Sequence, residues 1–458
     1  MKLARVVVAL LFVACGGGEG ESSPALDSCA SAEPLFHIDT VTSSEMPTVA
    51  TVTWSLDEPV TSAHVDFGPT PDELSERAPV DLRSAPFHTQ LVGLKSASSY
   101  FVRITTEGRC GTRTSLTTGF TTGSLPIRLP PGSIANLDPE RLFAGGGFTL
   151  TCTGLAAGSQ AHEVDDGWPT WAFILDRKGE VVWAYELTGS PVAGCSRARL
   201  SLDGKFVWIG NLNDRGGTGA LRRVSLDGVH VRDYATPARH HDFAILPNDH
   251  LVYAEQKGSD GADVLRELDP ATGGVTELYD QTKDFARDIL ASHGARTSQV
   301  NYVPELGALS FSMLGTKQIG VVGYPGGDLR TVFGGLGTTF KNLEWEGQYG
   351  HDVRAGHAWV LVDGGKAAGS DVVGFLYDVP TRLTRSILDY SSGMDSLAFG
   401  DLKELPNGNL FVTYSMQGVF QELTADGVLL REQHVDTVLG YSEHRASLYG
   451  APPPYDRD

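Results

Sequence analysis

HHDFAILPNDHLVYAE, residues 240–255, decides how the chain reads. Its later part is strand, turn, strand: apolar Ile245 and Leu246, a Pro-Asn-Asp turn, then Leu251, Val252 and Tyr253. The unit recurs as SRARLSLDGKFVWIG (196–210), VNYVPELGALSFSM (300–313), HDVRAGHAWVLVD (351–363) and GDLKELPNGNLFVTY (400–414). Second hairpins follow, such as LRRVSLDGVHVRDY (221–234), VLRELDPATGGVTELY (264–279), FLYDVPTRLTRSILDY (375–390) and FQELTADGVLLREQ (420–433). AFILDRKGEVVWAYEL (172–187) precedes the first of them. Four strands every fifty to sixty residues or so is the period of a propeller blade, and the length left for them predicts about six blades. No sustained helical period competes with this all-β reading, although KDFARDILASHG (283–294) has room for one short helix.

Asp242, Asp352 and Asp401 fall at the same phase of three units. Histidine precedes two of them, as His241 and His351, and Gly400 holds the place in the third. Two readings stand. Each carboxylate could accept backbone N–H groups where a strand begins, which is architecture. Alternatively, inner strands line a central channel, so histidines from different blades could converge on a site. Arg197 and Arg199 alternate on one strand and could face that channel or solvent.

The formal charge of −20 argues against a nucleic-acid partner and against electrostatic docking on anionic lipid. The opening MKLARVVVALLFVAC has a charged start and an apolar run far shorter than the ~20 residues of a membrane-spanning helix. It resembles a lipoprotein signal peptide over residues 1–15, with Cys15 the lipid-attachment residue; an ordinary secretory signal is the alternative. Either way an exported protein is expected, with 16–33 as a Gly-, Ser- and Glu-rich tether. A lipid on Cys15 would anchor it to the cell envelope, on its periplasmic or cell-surface face. Cys29, Cys110, Cys152 and Cys195 remain, an even number that suggests two disulfides; the simplest pairing is Cys29 with Cys110 and Cys152 with Cys195. No cysteine spacing resembles a zinc site, GSDGAD (258–263) reads as a hairpin turn, and the Gly-rich stretches precede strands, so no metal or cofactor is expected.

Residues 34–125 carry short alternating segments. Leu94 lies six residues before Tyr100 across a Ser-rich turn, and Trp54 stands in VATVTWSL. This resembles the tyrosine corner and core tryptophan of a fibronectin type III β-sandwich. The Pro-rich SLPIRLPPG (124–132) reads as a linker into the propeller, residues 126–458.

The order of ILDRKGEVVW, HHDFAILPND, GHDVRAGHAWVLVDGG, GDLKELPNGNLFVTYS with QEL, and GYSEHRASLYG resembles the bacterial, nucleotide-independent arylsulfotransferases. The resemblance implies a propeller enzyme that moves a sulfuryl group from an aryl sulfate donor to a phenol acceptor through a histidine. It places His351 as nucleophile and His241 as a sulfate-binding residue, with His240 beside it. Between these blades the family carries a His-x-Asn-Ser stretch and an arginine. Here the positions fall on Arg296 or Thr297, Ser298 and Gln299, and Met313 or Leu314, so two of the four expected groups are unmatched. Arg296, Arg354, Lys317 and His293 are the candidate replacements. A non-catalytic propeller that binds a ligand or protein partner at the cell surface is the competing expectation.

Overall fold

The computed structural model describes residues 35–83, 85–127, 132–153, 170–188, 194–211, 219–257, 262–286, 290, 296–335, 338–340, 343–362, 369–394, 396 and 399–450. Among them the chain is all-β, with a few 3-10 turns and no helix long and apolar enough to cross a membrane. In the segment 283–294, where one short helix is expected, Leu290 is helical and its N–H donates to the Ala286 carbonyl at 3.1 Å; most of the segment lies outside the described residues. Cys15, Cys29 and His293 also lie outside them.

The first unit has two sheets. One orders Phe36–Thr42, Ala50–Leu56 and Phe87–Leu91. The other is built on Val60–Gly68 and Ser99–Gly108. Alternate residues of both sheets, among them Val52, Trp54, Val65, Phe67, Val102 and Ile104, share one buried core, as period-two patterning requires. Tyr100 Oη accepts a hydrogen bond from the Lys95 backbone N–H at 2.9 Å, the back-bond the spacing from Leu94 predicts.

Six further sheets follow, and together they are propeller-like. Each begins with an inner strand: Arg197–Leu200, Arg239–Ile245, Thr297–Val303, Gln348–Arg354 and Asp401–Glu404 open the second to sixth. The first sheet takes its inner strand from the end of the chain, where Glu443–Arg445 pairs with Phe148–Leu150. The sixth gains an outer fifth strand from the start of this region, Ser133–Asn136 against Arg431–His434. Both ends of this region thus close the ring, which removes exposed sheet edges a linear array would leave.

Apolar residues of neighbouring sheets interdigitate, with Val252, Leu265 and Tyr279 of the third packing on Val300, Leu309 and Phe311 of the fourth. Cys152 and Cys195 form a disulfide between the first sheet and the approach to the second, the simplest pairing expected. Cys110 is also disulfide-bonded; its expected partner, Cys29, is outside the described residues.

The two units touch through a continuous core. Met46, Val49 and Val92 of the first are buried in one cluster with Leu150, Val182 and Val207 of the propeller-like region. Gln90 donates to Asp227 at 3.2 Å, and Tyr449 Oη accepts from the Val92 N–H at 3.1 Å.

Candidate functional site

The axis of the ring is filled by a buried ionic network. Arg197 has no solvent-exposed side-chain area. Its Nε donates to Asp242 at 2.7 Å, and its Nη1 donates to Asp401 at 2.5 Å and to the Ser442 carbonyl at 2.7 Å. Tyr441 lies under the guanidinium, 4.6 Å from ring centroid to Cζ. Gln299 donates to Asp401 at 2.5 Å and accepts from the His351 N–H at 2.7 Å. Burial would lower the Arg197 pKa, but Asp242 and Asp401 outweigh it and hold the guanidinium charged. Of the two readings of Arg197 and Arg199, the axial one holds.

The recurrent aspartates accept backbone N–H groups, as architecture predicts. Asp242 takes those of Phe243 and Val300, Asp401 that of Leu402, and Asp352 that of Glu404. The Asp242–Val300 and Asp352–Glu404 bonds join adjacent sheets, so these two residues stitch neighbouring sheets together.

A cleft opens at the downstream end of this network. At the upstream end, where inner strands begin, His241 stands in the left-handed region with φ +55°, at a bulge in the third sheet between His240 and Phe243. Such a bulge breaks the alternation and re-aims a side chain. Ser196 Oγ holds the His241 carbonyl in place. The side chain is half-buried near Phe399, with ring centroids 6.3 Å apart.

A hydrogen-bond chain runs behind it. Asp263 Oδ2 accepts from the Thr297 N–H at 2.6 Å, and its Oδ1 lies 3.0 Å from His240 Nε2. His240 Nδ1 lies 2.8 Å from His241 Nδ1. The carboxylate can only accept, so His240 carries its proton on Nε2 and offers Nδ1 as acceptor when neutral. His241 must then be protonated on Nδ1, which leaves the Nε2 lone pair of His241 free, and no described residue bonds to it. Burial, then the neighbouring His240, Arg296 and Arg239, push the His241 pKa well below the usual imidazole value. The imidazole is therefore neutral at ordinary pH, with an Nε2 to which no described residue bonds, within the electrostatic reach of Arg296.

Of the other expected site residues, only His240 and Arg296 join His241. His351 is fully buried between the fourth and fifth sheets. Its Nε2 sits 2.9 Å from Ser310 Oγ and 3.4 Å from Asn301 Nδ2, and its Nδ1 is buried without a hydrogen bond. Burial, with Lys403 nearby, lowers its pKa to about 3. Packed in this way it faces no opening, which corrects the expectation that it meets His241 at one mouth. Arg354 is a second correction: it lies at the far end of the axis, engaged by Asp352 at 3.0 Å and Glu305 at 3.0 Å. Lys317 is exposed and paired with Glu346 at 2.7 Å.

The downstream cleft is formed by the ends of all six inner strands, among them Arg199, Ile245, Asn301, Asp352, Lys403 and Glu443. Sequence reading missed its centre, and missed Asp263 and Phe399 upstream. The signal for Asp263 was a carboxylate on the inward phase of the apolar strand ADVLREL; Phe399 had none. Among the described residues no group of three or more His, Cys, Asp or Glu side chains is placed to hold a metal ion.

No family model matches the chain, and no curated protein matches its sequence. Solved structures are similar at low identity. TolB from Acinetobacter baumannii is 11% identical, with TM-score 0.45, over 76% of this chain and 80% of its own. A Bacteroides caccae protein of unknown function is 15% identical, with TM-score 0.43, over 65% of this chain and 98% of its own. A streptogramin B lyase is 14% identical, with TM-score 0.41, over 67% and 88%.

Proposed function

We propose that the protein is an exported, lipid-anchored molecule, carried on Cys15, with a fibronectin type III-like sandwich and a six-bladed propeller. Its site of action is the upstream end of the axis, where His241, rather than His351, accepts a sulfuryl group from an aryl sulfate. One observation carries this reading: the Asp263–His240–His241 chain, which leaves an unprotonated Nε2 within the electrostatic reach of Arg296.

The roles follow from the residues. Nε2 attacks sulfur; an N–S bond forms as the bond from sulfur to the aryl oxygen breaks, and the aryloxide departs. An acceptor phenol then attacks sulfur; its O–S bond forms as the N–S bond breaks, which restores the imidazole, and its proton passes through solvent to the departed aryloxide. Arg296 faces the negative charge spread over the sulfuryl oxygens. Asp263, through His240, stabilises the cationic character that His241 gains in the sulfurylated state. Phe399 offers a face to the aryl ring.

The competing reading is a propeller that binds an aromatic anion or a protein partner at this end without turnover. It is favoured by Met313 and Leu314, which stand where the family carries an arginine.

The test is transfer from a chromogenic aryl sulfate to a phenol by the folded chain. Expected is acceptor-dependent turnover that is lost in His241→Ala and retained in a folded His351→Asn variant. Loss in His351→Asn with retention in His241→Ala overturns the assignment of His241. Absence of turnover across several donors, with saturable binding of the aryl sulfate, selects the binding reading.

A further inference from the structure

The geometry points to a second binding site, in the downstream cleft on the far side of the Arg197 network from His241, that takes a small monocarboxylate with an apolar body. Two cationic groups face one another there with too few acceptors. Arg199 spends Nε on the Phe243 carbonyl at 2.7 Å. Its Nη2 makes no hydrogen bond although it is buried, and Asp242 Oδ2 stands off at 3.5 Å. Lys403 donates to the amide oxygen of Asn301 at 2.6 Å and lies 4.0 Å from Asp352 Oδ1. An ammonium has three N–H groups, so this set leaves donor capacity unused.

The electrostatics agree. Burial outweighs Asp352 and Asp401 and lowers the Lys403 pKa to about 8, with Arg199 and Arg197 pushing the same way. Burial and then Arg197 likewise lower that of Arg199. A half-buried cation pair that mutually destabilises its charges is relieved by an anion between them. No described side chain supplies it: Asp352 is occupied by Arg354 and the Glu404 N–H, and Glu443 by the Leu200 N–H.

Charge and shape narrow the ligand. Asp352 and Glu443 line the same cleft, so a dianion meets repulsion that a monoanion largely avoids. Ile245, Val303, Leu405 and Phe143 supply apolar walls. The cleft volume of about 170 Å³ is that of several waters or one small ring with its carboxylate. A planar carboxylate also suits the Arg199 guanidinium edge better than a spherical ion.

Benzoate is the probe, titrated calorimetrically into the folded full chain, with benzamide as the neutral isostere. Expected is saturable benzoate binding, weakened about tenfold or more in Lys403→Met and in Arg199→Met, and about tenfold weaker for benzamide. Lys403→Arg, which keeps the charge, is expected to retain most of the affinity and guards against misfolding of the Met variant. Three results overturn the proposal: no saturable heat up to about 10 mM benzoate; equal binding of benzamide; or undiminished binding by folded Lys403→Met and Arg199→Met variants.

Discussion

Arg197 of the second sheet donates to Asp401 of the sixth at 2.5 Å while its other edge holds Asp242 of the third, so one side chain ties three sheets at the axis. A buried charge is tolerated only when paired and hydrogen-bonded, and here every arm of the guanidinium has a partner. Removing the cation strips two buried carboxylates of their principal counter-charge, with Arg199 left 3.5 Å from Asp242. Arg197→Met is expected to cost about 3–5 kcal/mol in urea unfolding. Asp401→Asn, which retains an acceptor for the arginine, should cost distinctly less. A loss below about 1 kcal/mol for Arg197→Met would show that the network does not hold the ring together.

Acid sensitivity follows from the buried histidines. His351 and His444 are each lowered to about 3, the first by burial and Lys403, the second by burial and Arg431. His241 is lowered as well. A histidine depressed in the folded state binds its proton only on unfolding. As pH falls below about 6.5 the unfolded chain takes up protons that the native one does not, and stability falls toward the folded pKa. Each such group contributes a slope of about 1.4 kcal/mol per pH unit in that window. Unfolding free energy measured from pH 7 to 4.5 should therefore drop steeply. His351→Asn should flatten the slope by about one proton's worth, and an unchanged slope would refute the neutral, buried state of His351.

The sandwich should unfold together with the propeller. Val92 is buried in the cluster it shares with Leu150 and Val207, and its backbone N–H is held by Tyr449. A single calorimetric transition is expected for the parent chain. Val92→Asp, which buries a carboxylate at the junction, should split it into two by uncoupling the units. Two transitions already present in the parent would mean that the docking is weaker than its buried contacts imply.

Much of this architecture was legible in the sequence because it is periodic. The repeated strand–turn–strand units give the sheets, the Leu94–Tyr100 spacing gives the back-bond to Lys95, and Cys152 and Cys195 pair as adjacency suggests. The site was legible only in part. His241 and His351 share a phase in the repeat, yet a bulge and a left-handed residue re-aim His241 at the upstream end. The bulge before His351 leaves it between sheets instead. Irregularities of one or two residues, as at these two sites, leave no mark on apolar periodicity. Asp263 and Lys403 escaped notice for other reasons: Asp263 meets His240 two strands along the same sheet, at the break in register, and Lys403 of the sixth sheet meets Asn301 of the fourth only across the axis.

Closure of the ring is itself testable, since two strands from opposite ends of the propeller region share it. Glu443–Arg445 supplies the inner strand of the first sheet, and Ser133–Asn136 adds an outer strand to the sixth. The two are not equivalent. The inner strand pairs at Glu443 with buried Leu150 and is followed by Leu448 in the same core cluster, whereas Ala135 is exposed. Proline removes a ladder N–H and restrains the chain at either place. Glu443→Pro also removes the carboxylate that accepts the Leu200 N–H at 3.2 Å, so it breaks two joints at once. It is expected to cost about 2–3 kcal/mol, and Ala135→Pro well under half of that. Chemical denaturation of the two variants in parallel checks the order. If Ala135→Pro proves the more damaging, the outer strand, not the inner one, carries the closure.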